Sequence, residues 1–183
     1  MILRMEPTHD QECYLAQPDE TQGFVFNQTM LRIKDPAISV PFYRDVMGMQ
    51  LVKAIRFDAF SFTLYFMGYV DERCDYPASE ADRLRHAFGR PAMLELTHNW
   101  GTENQEGPVY HDGNAQPQGF GHIGFCVPDV PAACARFDRL GVEFVKRPGD
   151  GKMKGIAFIK DPDGYWIEIL SDRTIGDVVA SVG

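Results

Sequence analysis

Four side chains in this sequence have the chemistry of ligands to a divalent cation: Gln28, Glu95, His122 and Glu168. Glu168 raises the question most sharply. It lies in the stretch GYWIEILSD between Ile167 and Ile169, which reads as a buried strand, and a carboxylate there is costly unless a cation sits against it. Taken singly, none of the four demands a metal. A glutamate in a strand is more often an edge residue, and a histidine opening a strand is more often simply hydrogen-bonded. They become a set because the chain repeats itself.

QTMLRIKDPAISVPFYRDVMGMQLVK, from Gln28, and HIGFCVPDVPAACARFDRLGVEFVK, from His122, match in layout. Each gives a short strand, an Asp-containing turn, an amphipathic helix, and a glycine stop (Gly48, Gly141) before another apolar strand. In the first copy an N-cap at Ser39 would leave Pro41 in the first helical turn, where proline is tolerated. Both copies continue through strand-like FSFTLYFMGY and KGIAFIKD and close on MLELTH and YWIEIL, so each unit predicts βαβββ. The expected fold is α+β, with two such modules forming curved mixed sheets. Residues 1–23 read as an N-terminal arm and 24–98 as the first module, with an inserted helix at about 78–89 capped by Ser79 and stopped by Gly89. Residues 99–119 read as a connection, 120–172 as the second module and 173–183 as a C-terminal tail.

Gln28 and His122 open their units at matching positions, and Glu95 and Glu168 match in the closing strands. Strand alternation puts Thr29, Leu31 and Ile33 on one face and Gln28, Met30 and Arg32 on the other. Likewise Ile123, Phe125 and Val127 oppose His122, while Leu94 and Leu96 oppose Glu95 as Ile167 and Ile169 oppose Glu168. Four such strands curved about one hollow would converge a Gln, a His and two Glu. That N/O set without thiolate suits Zn²⁺, Ni²⁺, Co²⁺, Mn²⁺ or Fe²⁺. Sequence leaves open whether the two modules pair within one chain or across two.

Bulk properties narrow the function classes. A net charge of −8 without a basic cluster argues against nucleic acid and anionic membrane as partners. The 44% hydrophobic content supports a packed core, while no apolar run suffices for a bilayer span. The N-terminal segment lacks the apolar stretch of a secretory signal, which reads as cytoplasmic. Cys13, Cys74, Cys126 and Cys134 show no CxxC pairing, so neither a disulfide framework nor a thiolate metal site is indicated.

The stretches QTMLRIKDP, LELTHNWGTE, GFGHIGF, VPDV and KMKGIAFIKDPDGYWIEIL resemble the signature stretches of the glyoxalase I family, within the vicinal-oxygen-chelate superfamily. The similarity covers nearly all of residues 22–172. It implies a lactoylglutathione lyase, isomerising the hemithioacetal of methylglyoxal and glutathione to S-D-lactoylglutathione. It further implies a homodimer with shared sites, Gln28 and Glu95 from one chain and His122 and Glu168 from the other. The proton would leave a carbon beside a carbonyl, with the charge of a metal-bound enediolate developing against the ion. Glu168 is then the principal base, less hydrated beside Trp166 and Leu170, and Glu95 a ligand and second acid–base group. Zn²⁺ is implied by the long connection and inserted helix, with Ni²⁺ or Co²⁺ compatible with the same ligands.

For glutathione, Arg32 shares a strand face with Gln28 at roughly 13 Å. Asn99 and Lys146 match family contacts. Met153, in glycine-bracketed GDGKMKG, would cover the substrate as part of a lid, and Phe57, Phe62, Ile156 and Phe158 would line the pocket. Gln118 stands where the family motif has arginine, which removes a bidentate charged contact. A metal-dependent epimerase of acyl thioesters is the nearer alternative. A metal-free binding module is the more distant one, having no use for four polar positions.

Overall fold

The alternation read from the sequence governs the first strand, β1 (Gln28–Ile33): Leu31 and Ile33 are buried, while Met30 and Arg32 face outward. The computed structural model describes residues 16–70 and 77–181. In them β1 is followed by α1 (Pro36–Pro41), β2 (Gln50–Phe57), β3 (Phe62–Gly68), α2 (Glu80–Phe88) and β4 (Met93–Asn99). The second unit comprises β5 (His122–Cys126), α3 (Val130–Arg139), β6 (Phe144–Lys146), β7 (Ala157–Lys160) and β8 (Trp166–Leu170), and α4 (Ile175–Ala180) follows. The sheets have orders β1-β4-β3-β2 and β5-β8-β7-β6, in each of which the first pair is parallel and the others antiparallel. These are the two βαβββ modules that the repeat predicts.

The first helix starts earlier than expected. Asp35, not Ser39, is its N-cap: the Asp35 carboxylate accepts from the Ala37 N–H at 2.8 Å, with Pro36 in the first turn. Asp129 caps α3 in the same way, accepting from Ala132 N–H at 2.8 Å. An aspartate followed by proline is a stronger start signal than an isolated serine. Ser39 is instead buried and donates to Asp163 Oδ2 of the other module at 2.6 Å. Pro41, which has no N–H to give, closes the helix. The chain then widens into a π-type turn, Phe42–Val46, in which Met47 N–H reaches Phe42 O at 3.2 Å, and it reverses at Gly48 with φ +76°.

The helix-bearing faces of both sheets share one core. Leu31, Ile33, Leu94 and Leu96 of the first sheet belong to the same buried cluster as Ile159, Ile167 and Ile169 of the second, with Tyr43, Met47, Cys134 and Phe137 from the helical segments. Polar contacts lock the junction. Arg136 of α3 donates to the carbonyls of Val46 and Asp45 at 2.5 and 2.6 Å, satisfying the open end of the first helical segment. Tyr43 donates to Asp161 at 2.8 Å, and the Lys34 N–H donates to Asp163 at 2.6 Å.

Helix α2 begins with Ser79 accepting from Asp82 N–H at 3.1 Å and is stopped at Gly89. Its Ala87 joins Val52, Phe66 and Met93 in a second cluster, and Phe88 packs edge-on against Phe66. Residues 173–183, expected as a tail, carry α4, whose Val178 is buried. Residues 1–15 of the expected arm, with Cys13, lie outside the described residues, as does Cys74; Cys126 and Cys134 are free thiols. No helix among the described residues is long and apolar enough to cross a membrane.

Candidate metal centre

Because the apolar rows of both sheets are turned into the shared core, their opposite faces are turned away from it. In the first sheet the register Met30↔Glu95↔Phe66 and Arg32↔Thr97↔Leu64 defines the outward face, so Gln28, Arg32, Glu95, Thr97, Asn99 and Phe62 share it. Glu95 is only 8% exposed. Gln28 Nε2 donates to Glu95 Oε2, and Thr97 Oγ1 donates to Glu95 Oε1 at 3.0 Å. The other end of the Gln28 amide, Oε1, is buried and has no hydrogen-bond partner among the described residues.

The second sheet repeats the arrangement with different chemistry. Gly124↔Glu168↔Phe158 and His122↔Trp166 set its outward face. His122 Nε2 lies 3.2 Å from Glu168 Oε2, and the imidazole meets the Phe158 ring edge-on at 5.2 Å. Trp166 and Leu170 flank Glu168 on the strand, as its parity requires.

The four expected ligands are therefore brought together two by two, not in a single cup within one chain. Among the described residues no group of three His, Cys, Asp or Glu side chains is gathered as round a metal ion. Alternation fixes the face of each strand on which a ligand stands, but not which faces of the two modules meet. In one chain the meeting faces are the apolar ones. The cavities agree with this. A hollow of 410 Å³ beside His122 is lined by Phe26, Met93, Phe120 and Phe125 without Glu95 or Glu168. A larger one of 560 Å³ at the module junction holds none of the expected ligands.

The residues nevertheless fit a divalent cation. A buried amide oxygen without a donor is a costly group that a cation would satisfy. Two carboxylates, an imidazole and that oxygen form a hard-to-borderline donor set.

The remaining expected site residues are distributed over both modules. On the first, Asn99 Nδ2 donates to Tyr110 Oη at 2.9 Å, while the Phe57 and Phe62 rings meet at a tilt with centres 4.7 Å apart, and Phe60 stacks on Phe62 at 6.2 Å. On the second, Lys146 pairs with Phe158 across the ladder, but its ammonium is engaged by the Ile156 carbonyl at 2.8 Å. Ile156 is buried and Phe158 half-buried, whereas Met153 and Gln118 are exposed.

Sequence reasoning passes over Thr97, although its place two residues beyond Glu95 on the same strand face is a usable signal. It also passes over the buried Asp161 and the half-buried Asp163, which only module docking brings against Tyr43 and Ser39. Burial pushes the Asp161 carboxyl up to about 7, with Asp163 adding to the rise; the Asp163 carboxyl is itself raised, again chiefly by burial.

The sequence pattern that defines the Glyoxalase/Bleomycin resistance protein/Dioxygenase superfamily matches residues 25–169, nearly the whole repeated region. The chain belongs to this superfamily. Within it, the chain is 50% identical over 163 residues to the lactoylglutathione lyase of Pseudomonas aeruginosa, covering 88% of this chain and 91% of that protein. It is 42% identical over 156 residues to glyoxalase I of Saccharomyces cerevisiae, covering 84% of this chain and 45% of the yeast protein. A structure solved in a comparison of the trypanothione-dependent glyoxalase I of Leishmania major with the human enzyme is 28% identical. It superposes with a TM-score of 0.60, covering 85% of this chain and 92% of that one. Glyoxalase I from Zea mays, at 24% identity and a TM-score of 0.59, shares the fold over 80% of this chain and 44% of its own.

Proposed function

We propose that this superfamily member is a lactoylglutathione lyase, converting the hemithioacetal of methylglyoxal and glutathione into S-D-lactoylglutathione in the cytoplasm. One observation carries the proposal: Gln28 with Glu95 and His122 with Glu168 stand as two pairs at equivalent places of the repeat, on faces turned away from the core. Two copies of the chain can then complete a four-ligand site that one copy leaves in halves, which supports a homodimer. Gln28, Glu95, His122 and Glu168 would hold the divalent ion, Zn²⁺ by family resemblance. When bound, the ion supplies Lewis-acid stabilisation of negative charge developing beside the substrate carbonyl.

The chain's own groups do the rest. Glu168 takes the proton from the carbon that bears sulfur and returns it to the neighbouring carbon, while the hydroxyl proton passes from the oxygen of the first carbon to that of the second, so the reaction is an isomerisation with no net change of atoms or electrons. Trp166, Leu170 and Phe158 give that carboxylate apolar neighbours and limit the access of competing water. Glu95 stays in place, held by Gln28 and Thr97. Arg32 and Asn99 lie further along the same face as Glu95 and are suited to a glutathione carboxylate and amide. Lys146 can add a cation from the other module by exchanging the Ile156 carbonyl for substrate. Gln118 offers only a neutral amide, which reduces the charge opposing glutathione.

The test is thioester absorbance in a mixture of methylglyoxal and glutathione, with chelator-treated protein and after readdition of Zn²⁺, Ni²⁺ or Co²⁺. Loss of the signal on chelation and its return with metal are expected. Absence of thioester formation at every metal would refute the assignment and leave an acyl-thioester epimerase as the nearest alternative.

A further inference from the structure

The repeat makes Glu95 and Glu168 equivalent in backbone position, yet the structure treats them differently. Both oxygens of Glu95 receive a hydrogen bond, from Gln28 Nε2 on one and from Thr97 Oγ1 on the other. Glu168 has the edge of His122 at 3.2 Å and, two residues on, at the position equivalent to Thr97, the hydrocarbon Leu170. Parity and register make the comparison strict: Arg32↔Thr97 in the first sheet corresponds to Cys126↔Leu170 in the second, each one pleat beyond its glutamate. Thr97 is as buried as Glu95, so water competes little for either end of the bond.

We infer that Thr97 is a positioning residue that fixes the Glu95 carboxylate as a stationary ligand and so assigns proton transfer to Glu168, whose carboxylate has the hydrocarbon Leu170 at the equivalent place. A β-branched threonine suits the role, because its χ1 is restricted in a strand and its hydroxyl is already aimed when the ion arrives. Donors of this kind commonly set ligand orientation, and their removal typically lowers metal affinity or activity by about 10- to 100-fold. The inference rests on the proposed metal site and adds to it a division of labour between two glutamates that the repeat alone would make interchangeable.

Thr97→Val keeps the branch and volume and removes only the hydroxyl; Thr97→Ser keeps the hydroxyl and removes a methyl. Three quantities separate orientation from packing: Zn²⁺ affinity by competition with a chromophoric chelator, the unfolding midpoint of the metal-free protein, and kcat against KM. Thr97→Val is expected to bind Zn²⁺ at least ~10-fold more weakly and to lose kcat with little change in KM, with the metal-free midpoint lowered by no more than the loss of one buried hydrogen bond, and Thr97→Ser within about threefold of wild type in affinity. Wild-type affinity and kcat in Thr97→Val would overturn the inference and leave the metal site standing. A serine variant as weak as the valine one would overturn it too, since packing would then be the cause. Should the wild-type protein itself fail to compete for Zn²⁺, the metal reading falls first and takes this inference with it.

Discussion

Burying Asp161 makes the stability of this protein depend on pH in a direction opposite to that of most carboxylates. The side chain is 5% exposed, accepts from Tyr43 Oη at 2.8 Å and from the N–H groups of Asp163 and Tyr165 at 3.0 and 2.9 Å, and has Asp163 beside it. Burial raises its pKa from 3.8 to about 7, outweighing those hydrogen bonds. The folded state therefore holds this proton more tightly than the unfolded state does. Its contribution is most favourable below pH ~4, where both states are protonated, and it falls as pH rises to about 7, beyond which the full penalty is present. At 1.36 kcal/mol per pH unit the penalty amounts to ~4 kcal/mol, of which ~3 has accrued by pH 6.

Asp161→Asn keeps the shape and removes the ionisation, so the variant is expected to match wild type near pH 4 and to exceed it by up to ~4 kcal/mol at pH 8. The assay is urea unfolding of the metal-free proteins at one protein concentration in pH steps from ~4.5 to ~8.5, read as the difference between the two curves. Subtraction matters because Asp45, Glu80, Asp112 and Asp138, whose carboxyls are held below the usual range, give opposite slopes common to both proteins. A difference that stays flat across that range, or that grows in favour of wild type as pH rises, would refute the reasoning.

Two further expectations concern the catalytic face and the C-terminal helix. Glu168→Gln should reduce kcat by at least ~10²-fold while leaving the urea midpoint of the metal-free protein unchanged, and retained turnover would remove Glu168 from its role as base. Gly155 sits at φ +91°, where a Cβ would approach Val178 Cγ2 of α4 to 2.8 Å. Gly155→Ala should destabilise by ~1–3 kcal/mol in thermal or urea unfolding, and a neutral result would show that α4 is not packed there.

How far the sequence can be read depends on whether a feature is local or arises from docking. Period-two alternation identifies the buried rows correctly, because Leu31, Ile33, Ile167 and Ile169 have only one face on which to hide from water. The inserted helix is legible from Ser79, Asp82 and Gly89, since capping is decided within one turn. The start of α1 differs from expectation although its signal is also local; the Asp35-Pro36 pair outweighs Ser39, whose hydroxyl serves Asp163. Convergence of the ligands is only half legible. Facing directions follow from each strand, but the meeting of one module's face with another is a property of the assembled molecule. For the same reason the ammonium of Lys146, spent on Ile156, and the junction of Tyr43 with Asp161 leave no mark in the local pattern.

The central claim is that one divalent ion is shared by Gln28 and Glu95 of one copy and His122 and Glu168 of another, and complementation tests it most directly. A chain carrying Gln28→Ala and Glu95→Gln is refolded in equal amount with a chain carrying His122→Ala and Glu168→Gln, each bearing a different affinity tag. Either variant alone should be inactive. In the mixture about half of the dimers are hybrids, each with one intact and one empty site, so lyase activity should return to about a quarter of wild type and copurify with both tags. Hybrid dimers that form but remain inactive would contradict the shared site and the four-ligand metal centre that depends on it.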